Sequence, residues 1–410
     1  MKEEVLRKYA RLAVCSGANI QPGQLLVITS DVRDHHFAEL CAEEAYRAKA
    51  GEVIINWSDE NVEKLSYENV ETETLARVPQ WAYDKREDLQ NRGCAYLHIS
   101  SGTPGLLKHI DPQKIKAVRI ASMQKMRPLM EYTMANRGQW TIVALPSLGW
   151  AHIVFPDKEE EEAMELLSQA ILKSVRISED NDPVAEWLVH NAELQKHCDL
   201  LNDYNFRTLH FTSQNGTDLY VGLVKDHNWA GGQCTTDKGI PFNPNMPTEE
   251  VFCMPDRNRV DGRVHASKPL SYGGKVIEDF WFEFKDGKVV DHGAAKEVDT
   301  LTDLLNSDEG SRHLGEVALI SYHSPISLMN ILFYETLFDE NASCHLALGR
   351  CYPENIKGGE EMSQEEIFAH GGNDSMNHVD FMFGTADMKV VGIREDGSQV
   401  VLFDNGDFVI

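Results

Sequence analysis

The sequence reads LLVI at residues 25–28 and VII at residues 53–55, and both runs are fully apolar. Between them, residues 34–50 carry apolar side chains at helical spacing, and Gly51 ends that pattern. A strand, a helix and a second strand in this order favour two parallel strands in one sheet with the helix packed against it. The sequence therefore predicts an N-terminal α/β domain with a largely parallel sheet.

The alternation of helices and strands continues on both sides of this unit. Helices are expected at residues 3–13, 71–91, 112–122 and 158–175, and strands at residues 95–99 and 141–145. A longer helical pattern over residues 183–204 has the character of a connector. It marks the end of the α/β part of the sequence.

Beyond this connector the pattern changes to short alternating strands. The dipeptides Asp286-Gly287, Asp396-Gly397 and Asn405-Gly406 are typical of two-residue hairpin turns. The second half is therefore expected to be mainly antiparallel β with a few helices, an α+β arrangement. We expect two domains, an N-terminal α/β domain over residues 1–195 and a C-terminal domain over residues 196–410 that carries the candidate metal site.

The net charge of the chain limits which classes of binding partner are expected. Lys and Arg number 39 and Asp and Glu number 65, which gives a net charge of −26. Such a field repels phosphate backbones and anionic membrane surfaces, so neither nucleic acid nor a membrane is expected as a partner. It attracts cations such as a free peptide amine or a divalent metal ion.

The cysteines and the first residues indicate a cytoplasmic protein. Eight cysteines are spread along the chain without a CxxC pair, which favours reduced thiols over a disulfide framework. No apolar run reaches the roughly 18 residues that a membrane span needs. The charged start also lacks the apolar segment of a signal peptide.

Common catalytic motifs are missing from the sequence. It has no GxGxxG motif after a strand, no phosphate-binding Walker loop and no GxSxG nucleophile motif. It also lacks the HExxH motif of single-helix zinc proteases. If the protein binds a metal, its ligands must come from separate elements.

Candidate ligands instead lie in five stretches between residues 245 and 380. Glu249 and Glu250 precede an apolar strand, where they either cap a turn or form part of a site. Glu316 interrupts a second apolar strand and either faces solvent or serves as a ligand. Glu340 lies five residues before His345, an imidazole that is either a core side chain or a ligand.

The other two stretches contain Tyr352 and the sequence HVDFM at residues 378–382. A tyrosine is more often a packing residue than a catalytic one. His378 and Asp380, by contrast, are two residues apart on an expected strand, so both point to one face. Val379 and Phe381 then point to the core. This pair of nitrogen and oxygen donors is the most specific local signal in the sequence.

Together these stretches supply four carboxylates, on Glu250, Glu316, Glu340 and Asp380, and two imidazoles. A single catalytic zinc ion needs three protein ligands and an open position, so six donors exceed its need. They fit two divalent ions about 3.5–4 Å apart that share a bridging carboxylate and a water. Mixed oxygen and nitrogen ligands suit Zn, Co, Mn or Mg.

Three motifs in this order resemble one known family. PTEEVF at residues 247–252, HLALG at residues 345–349 and HVDFM at residues 378–382 are similar to the family of thermophilic aminopeptidase T, aminopeptidase S and their relatives. The resemblance covers the whole chain, including its acidity and the opening helix that Pro22-Gly23-Gln24 follows.

The resemblance implies a cytosolic, homodimeric metalloaminopeptidase that acts on peptides with a free N-terminus. It implies two divalent metal ions per chain, with a bridging water or hydroxide as nucleophile and with ligands at Glu250, Glu316, Glu340, His345, His378 and Asp380. Tyr352 is then the catalytic tyrosine, donating a hydrogen bond to the oxyanion. Glu316 or Glu249 is the candidate for moving the proton. Glu250 is preferred to Glu249 as a ligand because the strand continues directly from it.

Two other functions fit parts of the sequence. Two-metal carboxylate sites also hydrolyse phosphoesters and cyclic amides, so the protein could be another two-metal phosphoesterase or amidohydrolase. The acidic character and the lack of clustered Arg or Lys near the motifs argue against phosphate substrates. A non-catalytic binding protein would instead hold no metal tightly.

Overall fold

The strand–helix–strand pattern near the start forms the expected parallel sheet. In the computed structural model, which describes residues 1–410, strand β1 (Leu25–Asp31) pairs in parallel with β2 (Glu52–Ser58) and with β3 (Ala95–Ser100). Strand β4 (Trp140–Ala144) pairs in parallel with β3 and completes the order β2-β1-β3-β4. The prediction of an N-terminal α/β part with a parallel sheet is confirmed.

The remaining strands are mostly short and lie in the second half of the chain. They are β5 (Thr208–Thr212), β6 (Asp218–Leu223), β7 (Cys234–Thr235), β8 (Pro241–Phe242), β9 (Val251–Cys253), β10 (Pro255–His265), β11 (Leu270–Tyr272), β12 (Lys275–Ile277), β13 (Trp281–Lys285), β14 (Lys288–Gly293), β15 (Leu314–Leu319), β16 (His345–Gly349), β17 (His378–Met382), β18 (Lys389–Ile393), β19 (Gln399–Asp404) and β20 (Asp407–Phe408).

Most of the helices lie in the first half. They are α1 (Glu3–Leu12), α2 (His35–Arg47), α3 (Glu60–Asn69), α4 (Thr72–Leu75), α5 (Gln80–Asn91), α6 (Pro112–Met134), α7 (Leu148–Val154), α8 (Glu160–Ser174), α9 (Pro183–Tyr204), α10 (Val298–Leu305), α11 (Pro325–Met329), α12 (Thr336–Asp339) and α13 (Gln364–Ala369). Helix α6 runs well past residue 122, where the sequence pattern ended, and passes through Pro128. Its second half contains four Met residues and several other good helix formers, whose helix propensity offsets the hydrogen bond that proline lacks.

The chain divides into two compact units. The first comprises Met1–Val189 and Gln233–Pro247, and the second comprises His190–Gly232 and Thr248–Ile410. The segment Gln233–Pro247 lies beyond the boundary expected at residue 195, yet it belongs to the first unit. There Asn245 bridges Ile142 on β4 and continues the parallel sheet by one short segment.

The second unit is built mainly from two antiparallel sheets, with β11 and β12 forming a separate two-stranded antiparallel sheet, which confirms its expected class. One has eight strands in the order β14-β13-β10-β6-β5-β18-β19-β20, and the other has four in the order β17-β16-β15-β9. Both sheets contribute apolar side chains to one core, including Phe211 and Val260 from the larger sheet and Val317 and Leu346 from the smaller. The opposite face of the four-stranded sheet carries the polar residues described next.

No helix in the structure combines the length and the apolar surface that crossing a bilayer requires.

Candidate metal centre

Five of the six candidate ligands lie on, or directly before, four neighbouring strands of one sheet. Glu250 immediately precedes β9, Glu316 lies on β15, and His345 is the first residue of β16. His378 and Asp380 both lie on β17. Residues separated by more than a hundred positions in sequence are therefore brought to one surface by strand pairing.

The register of the strands aligns these side chains across the sheet. Glu316 on β15 is opposite Ala347 on β16, which is in turn opposite Asp380 on β17. Residues in register point to the same face, so the two carboxylates flank the small Ala347 side chain. His345 is two residues before Ala347 and so shares this face.

The alternate residues of the same strands face the core, as the sequence pattern of HVDFM predicted. Phe381 is almost completely buried in the main core of the second unit, and Val379 packs against that core. Leu346 and Leu348 of β16 lie in the same core. This packing fixes the strands on one side, so the polar side chains on the other side sit on a rigid base.

The side-chain atoms form two groups that share one residue. In the first group, His345 Nε2 lies 3.2 Å from Glu250 Oε2 and 3.2 Å from Glu316 Oε1. In the second, His378 Nε2 lies 3.5 Å from Glu316 Oε2 and 3.4 Å from Asp380 Oδ1. Within each group the potential ligand atoms all lie within 4.8 Å of one another. Glu316 contributes a carboxylate oxygen to both.

A backbone carbonyl orients one of the imidazoles. His378 Nδ1 lies 2.7 Å from the carbonyl oxygen of Arg350, so the ring donates there and leaves Nε2 as the free nitrogen. This Nε2 faces Glu316 and Asp380. A carbonyl that fixes the tautomer of a histidine is the usual outer contact of a metal-binding imidazole.

Three further predicted residues lie around these groups. Glu340 belongs to neither group and lies on a short 3₁₀ helix, Glu340–Ala342. Glu249 is buried, and its Oε2 lies 3.9 Å from His190 Nε2. The Tyr352 ring is 4.7 Å from the His378 ring and remains 36% exposed.

Buried polar atoms in this cluster lack hydrogen-bond partners. Glu250 Oε2, Asp380 Oδ1 and His345 Nδ1 are all buried, and none forms a hydrogen bond of normal geometry. The nearest imidazole nitrogens, His345 Nε2 at 3.2 Å from Glu250 Oε2 and His378 Nε2 at 3.4 Å from Asp380 Oδ1, are close but poorly aligned for one. Leaving a buried carboxylate oxygen unsatisfied is costly, so such atoms normally have a partner. A divalent cation can supply that partner for the oxygens of Glu250 and Asp380. These oxygens and the Nε2 atoms of His345 and His378 are donors of the type that such ions prefer. The residues therefore fit a divalent metal.

The carboxyl groups show how crowded the negative charge is. Burial raises the pKa of Glu316 above its ordinary value. Burial and the charges of Glu250 and Asp380 raise the pKa of Glu340 well above its ordinary value. Glu340 therefore interacts electrostatically with the cluster. Glu316 and Glu340 are thus harder to ionise, because they are buried and other carboxylates are near. Asp380 differs: burial opposes its charge, but the nearby His378 and His345 lower its pKa below the ordinary value.

The imidazoles show the converse effect. Burial opposes the charge on His345, but Glu250 and Glu316 outweigh it and raise the pKa of His345 well above 6.5. Burial likewise opposes the charge on His378, but Asp380 and Glu316 raise its pKa to about 9. Without metal the cluster therefore takes up protons to balance its carboxylates, and metal binding would release them.

Sequence reasoning missed one nearby carboxyl group, that of Glu354. Burial and the charges of Glu360, Glu316 and Glu250 raise the pKa of Glu354 to about 7. The only signal in the sequence is its position two residues after Tyr352. Sequence reasoning also missed Arg350, whose backbone carbonyl orients the His378 ring. Any residue type has such a carbonyl, so the sequence gives no signal for this contact.

A cluster of buried carboxylates and imidazoles on one sheet defines a candidate centre of a metal-dependent hydrolase. Residues 2–408 match the family described as thermophilic metalloprotease (M29). The aminopeptidase AmpS of Bacillus subtilis (strain 168) is 46% identical over 405 residues, covering 98% of both chains. Aminopeptidase 2 of Geobacillus stearothermophilus is 42% identical, covering 99% of this chain and 98% of that one.

A solved structure agrees with these relatives. The wild-type AmpT of Thermus thermophilus superposes with a TM-score of 0.93 at 38% identity, covering 100% of both chains. The chain therefore belongs to the M29 family of thermophilic metalloproteases, as its three motifs predicted. It is a peptidase, a hydrolase of peptide bonds that uses divalent metal.

Proposed function

We propose that this peptidase is an aminopeptidase that removes the N-terminal residue from peptides with a free amino terminus, using two divalent metal ions per chain. The observation that carries the metal count is the position of Glu316, which contributes to two separate groups of ligand atoms. A carboxylate has two oxygens and can bridge two ions, whereas Glu250, His345, His378 and Asp380 each belong to one group only. The relatives from Bacillus subtilis and Geobacillus stearothermophilus are both named aminopeptidases, which supports the exopeptidase specificity.

The ligand assignment follows the two groups. Glu250 and His345 form one side, His378 and Asp380 form the other, and Glu316 is shared. Glu340 is included as the sixth ligand on the resemblance to the aminopeptidase T family, although it lies in neither group of ligand atoms. The charges of Glu250 and Asp380, which add to burial in raising its pKa, support a position near the cluster. Glu250 is preferred to Glu249 because its Oε2 lies in the first group, whereas Glu249 faces His190.

Two divalent ions held by these residues would supply Lewis acidity, which polarises the scissile carbonyl and makes water acidic enough to attack at neutral pH. The chain's own residues orient the reaction. Tyr352 lies beside His378, and a phenol in this position can donate a hydrogen bond to the developing oxyanion. Burial and the nearby carboxylates raise the pKa of Tyr352 well above 10, so the phenol keeps its proton at neutral pH.

The role of Glu316 in proton transfer, the homodimer and the cytoplasmic location stay predictions. All eight cysteines are free thiols, which supports a reducing compartment.

The test is hydrolysis of an amino-acyl anilide by chelator-treated protein, with Zn²⁺, Co²⁺, Mn²⁺ or Mg²⁺ added back. We expect metal to restore hydrolysis and elemental analysis to find two ions per chain. The N-acetylated anilide is the matched control, and its cleavage would contradict exopeptidase action. Hydrolysis of aryl phosphates in place of anilides would favour a two-metal phosphoesterase.

A further inference from the structure

A buried asparagine closes the turn that carries Tyr352. The segment Pro353–Asn355 is a single 3₁₀ turn, and the backbone N–H of Asn355 donates to the carbonyl of Tyr352 at 3.2 Å. Asn355 is 1% exposed, although the tyrosine that begins the turn is partly open to solvent. An amide side chain this deeply buried requires internal partners.

The side chain of Asn355 joins two other segments of the second unit. Its Nδ2 donates to the carbonyl of Phe252 at 3.1 Å and to the carbonyl of Asn228 at 3.2 Å. Asn228 in turn donates two hydrogen bonds to this turn. Its backbone N–H donates to the carbonyl of Asn355 at 2.8 Å, and its Nδ2 donates to the carbonyl of Glu354 at 3.0 Å. The turn is therefore attached to strand β9 and to the segment around Asn228 at once.

These attachments lead directly to the candidate metal centre. Phe252 lies on β9, two residues after Glu250, and its ring meets the Tyr352 ring edge-on with 6.2 Å between the ring centroids. The other neighbour of the Tyr352 ring is His378 at 4.7 Å. The tyrosine is thus held between two strands that carry candidate ligands, while Asn355 ties its backbone to one of them.

We propose that Asn355 is a positioning residue that sets the place of the Tyr352 phenol relative to the strand carrying Glu250. This inference rests on the proposed role of Tyr352. Because the Tyr352 side chain is partly exposed, ring packing alone leaves it room to move. The Asn355 amide instead fixes the backbone from which the phenol projects. A donor that stabilises an oxyanion must lie within a few tenths of an ångström of its place, so loosening this turn lowers catalysis.

The test is a double-mutant cycle between Asn355→Ala and Tyr352→Phe, measured as kcat on an amino-acyl anilide at saturating metal. Asn355→Ala alone is expected to lower kcat by about 10- to 100-fold. KM and the metal content per chain should stay unchanged. In the Tyr352→Phe background the same change should lower kcat by less than about twofold, because there is no phenol left to position.

A second readout does not depend on activity. In metal-free protein, Asn355→Ala should increase amide hydrogen exchange in residues 350–357, because the turn loses its attachment to β9. Asn355→Ser keeps one donor for one of the two carbonyls, so it should give an intermediate kcat. It also serves if the alanine variant does not fold.

Asn202 provides the matched control. Its Oδ1 accepts from the N–H of Trp229 at 2.8 Å, and its Nδ2 donates to the carbonyl of Trp229 at 3.1 Å. Asn202→Ala thus removes two hydrogen bonds to Trp229, the residue that follows Asn228. It removes no hydrogen bond to the turn that carries Tyr352. Its kcat should equal that of the wild type.

The outcomes separate the two proposals. If Tyr352→Phe leaves kcat unchanged, the proposed role of Tyr352 fails, and this inference fails with it. If Tyr352→Phe lowers kcat but Asn355→Ala and Asn355→Ser lower it by the same factor in both backgrounds, Asn355 is overturned as a positioning residue while the role of Tyr352 stands. Loss of metal from the Asn355 variants would also overturn it.

Discussion

Each unit of the chain holds a cluster of acidic side chains, but the two clusters balance their charge differently. In the first unit, at the carboxyl ends of the parallel strands, Arg33 pairs with Asp31 at 2.9 Å and with Glu60 at 2.9 Å. Thr103 donates to both carboxylate oxygens of Glu60. Every carboxylate oxygen of Asp31 and Glu60 has a partner within the unit.

The cluster on the four-stranded sheet of the second unit lacks such partners. Its carboxylates outnumber its imidazoles, and buried oxygens of Glu250 and Asp380 form no hydrogen bond of normal geometry. The difference shows in the acidities. The pKa of Asp31 falls to about 2 because Arg33 hydrogen-bonds to it, whereas burial raises the pKa of Glu316.

Acidic residues at a strand end therefore do not by themselves indicate a metal site. What distinguishes the second cluster is a deficit of internal positive charge and of hydrogen-bond donors. A cation from outside can supply both. The first cluster has no such deficit, so we interpret it as a structural network.

The largest expected effect is loss of activity in Glu316→Gln. Removing the charge of the shared carboxylate should release metal and lower kcat/KM by at least about 10³-fold, since metal activation of water is lost. Elemental analysis and anilide hydrolysis check this. The matched control is Glu60→Gln in the first unit, which should keep full activity and metal content. Two ions per chain in Glu316→Gln would remove Glu316 from the ligand set.

Tyr352→Phe should have the next largest effect. Loss of one oxyanion donor is expected to lower kcat by about 10²–10³-fold. Metal content should not change, because the Tyr352 side chain is outside both ligand groups. Steady-state kinetics with elemental analysis separates this from metal loss, and a wild-type kcat would exclude the role.

Metal removal should lower the thermal stability of the protein. A ligand that binds only the folded state at a hundredfold excess over its Kd stabilises it by about 2.7 kcal/mol. Calorimetry with and without chelator measures the shift in Tm. Glu60→Gln should retain that shift and Glu316→Gln should lose it. Equal shifts in both variants would mean that metal binds elsewhere.

The smallest effect is expected for Asp31→Asn, which weakens the network of the first unit. Hydrogen bonds to a charged group are worth a few kcal/mol at most, so stability near pH 7 should fall by about 1 kcal/mol with activity unchanged. The folded-state pKa of Asp31, about 2, lies below its ordinary 3.8. Its contribution is therefore complete above about pH 4 and lost as the pH falls toward 2.

Urea unfolding of Asp31→Asn and the wild type at several pH values checks this. The difference between the two proteins should shrink between pH 4 and pH 2. A difference that stays constant over that range would show that the charge of Asp31 is not what stabilises the network.

Much of the fold follows from local patterns in the sequence. Apolar runs predicted the parallel strands, and the dipeptides Asp286-Gly287 and Asn405-Gly406 lie in hairpin turns as expected. Alternation along residues 378–382 predicted which side chains face the core, because side chains on a strand alternate between two faces. The family was predicted from three motifs in order.

Other features were beyond sequence reasoning. The sequence left open whether Glu316 faces solvent or serves as a ligand. Alternation along a strand shows that a side chain points away from the core, but it does not show what covers that other face of the sheet. In the structure it is 4% exposed on a strand that is buried throughout. The return of Gln233–Pro247 to the first unit was equally invisible, because no local pattern records a long-range pairing.

The sequence by itself determined the class of each half and the strand faces, because these depend on spacing along the chain, and its motifs supplied the set of candidate donor residues. Only the tertiary structure decided that Glu250, Glu316 and Asp380 meet, that Glu316 is shared and that Glu340 lies outside both groups. Those facts depend on strand order and register. They are set by which strands bury their apolar faces together, a property of the whole core rather than of any one segment.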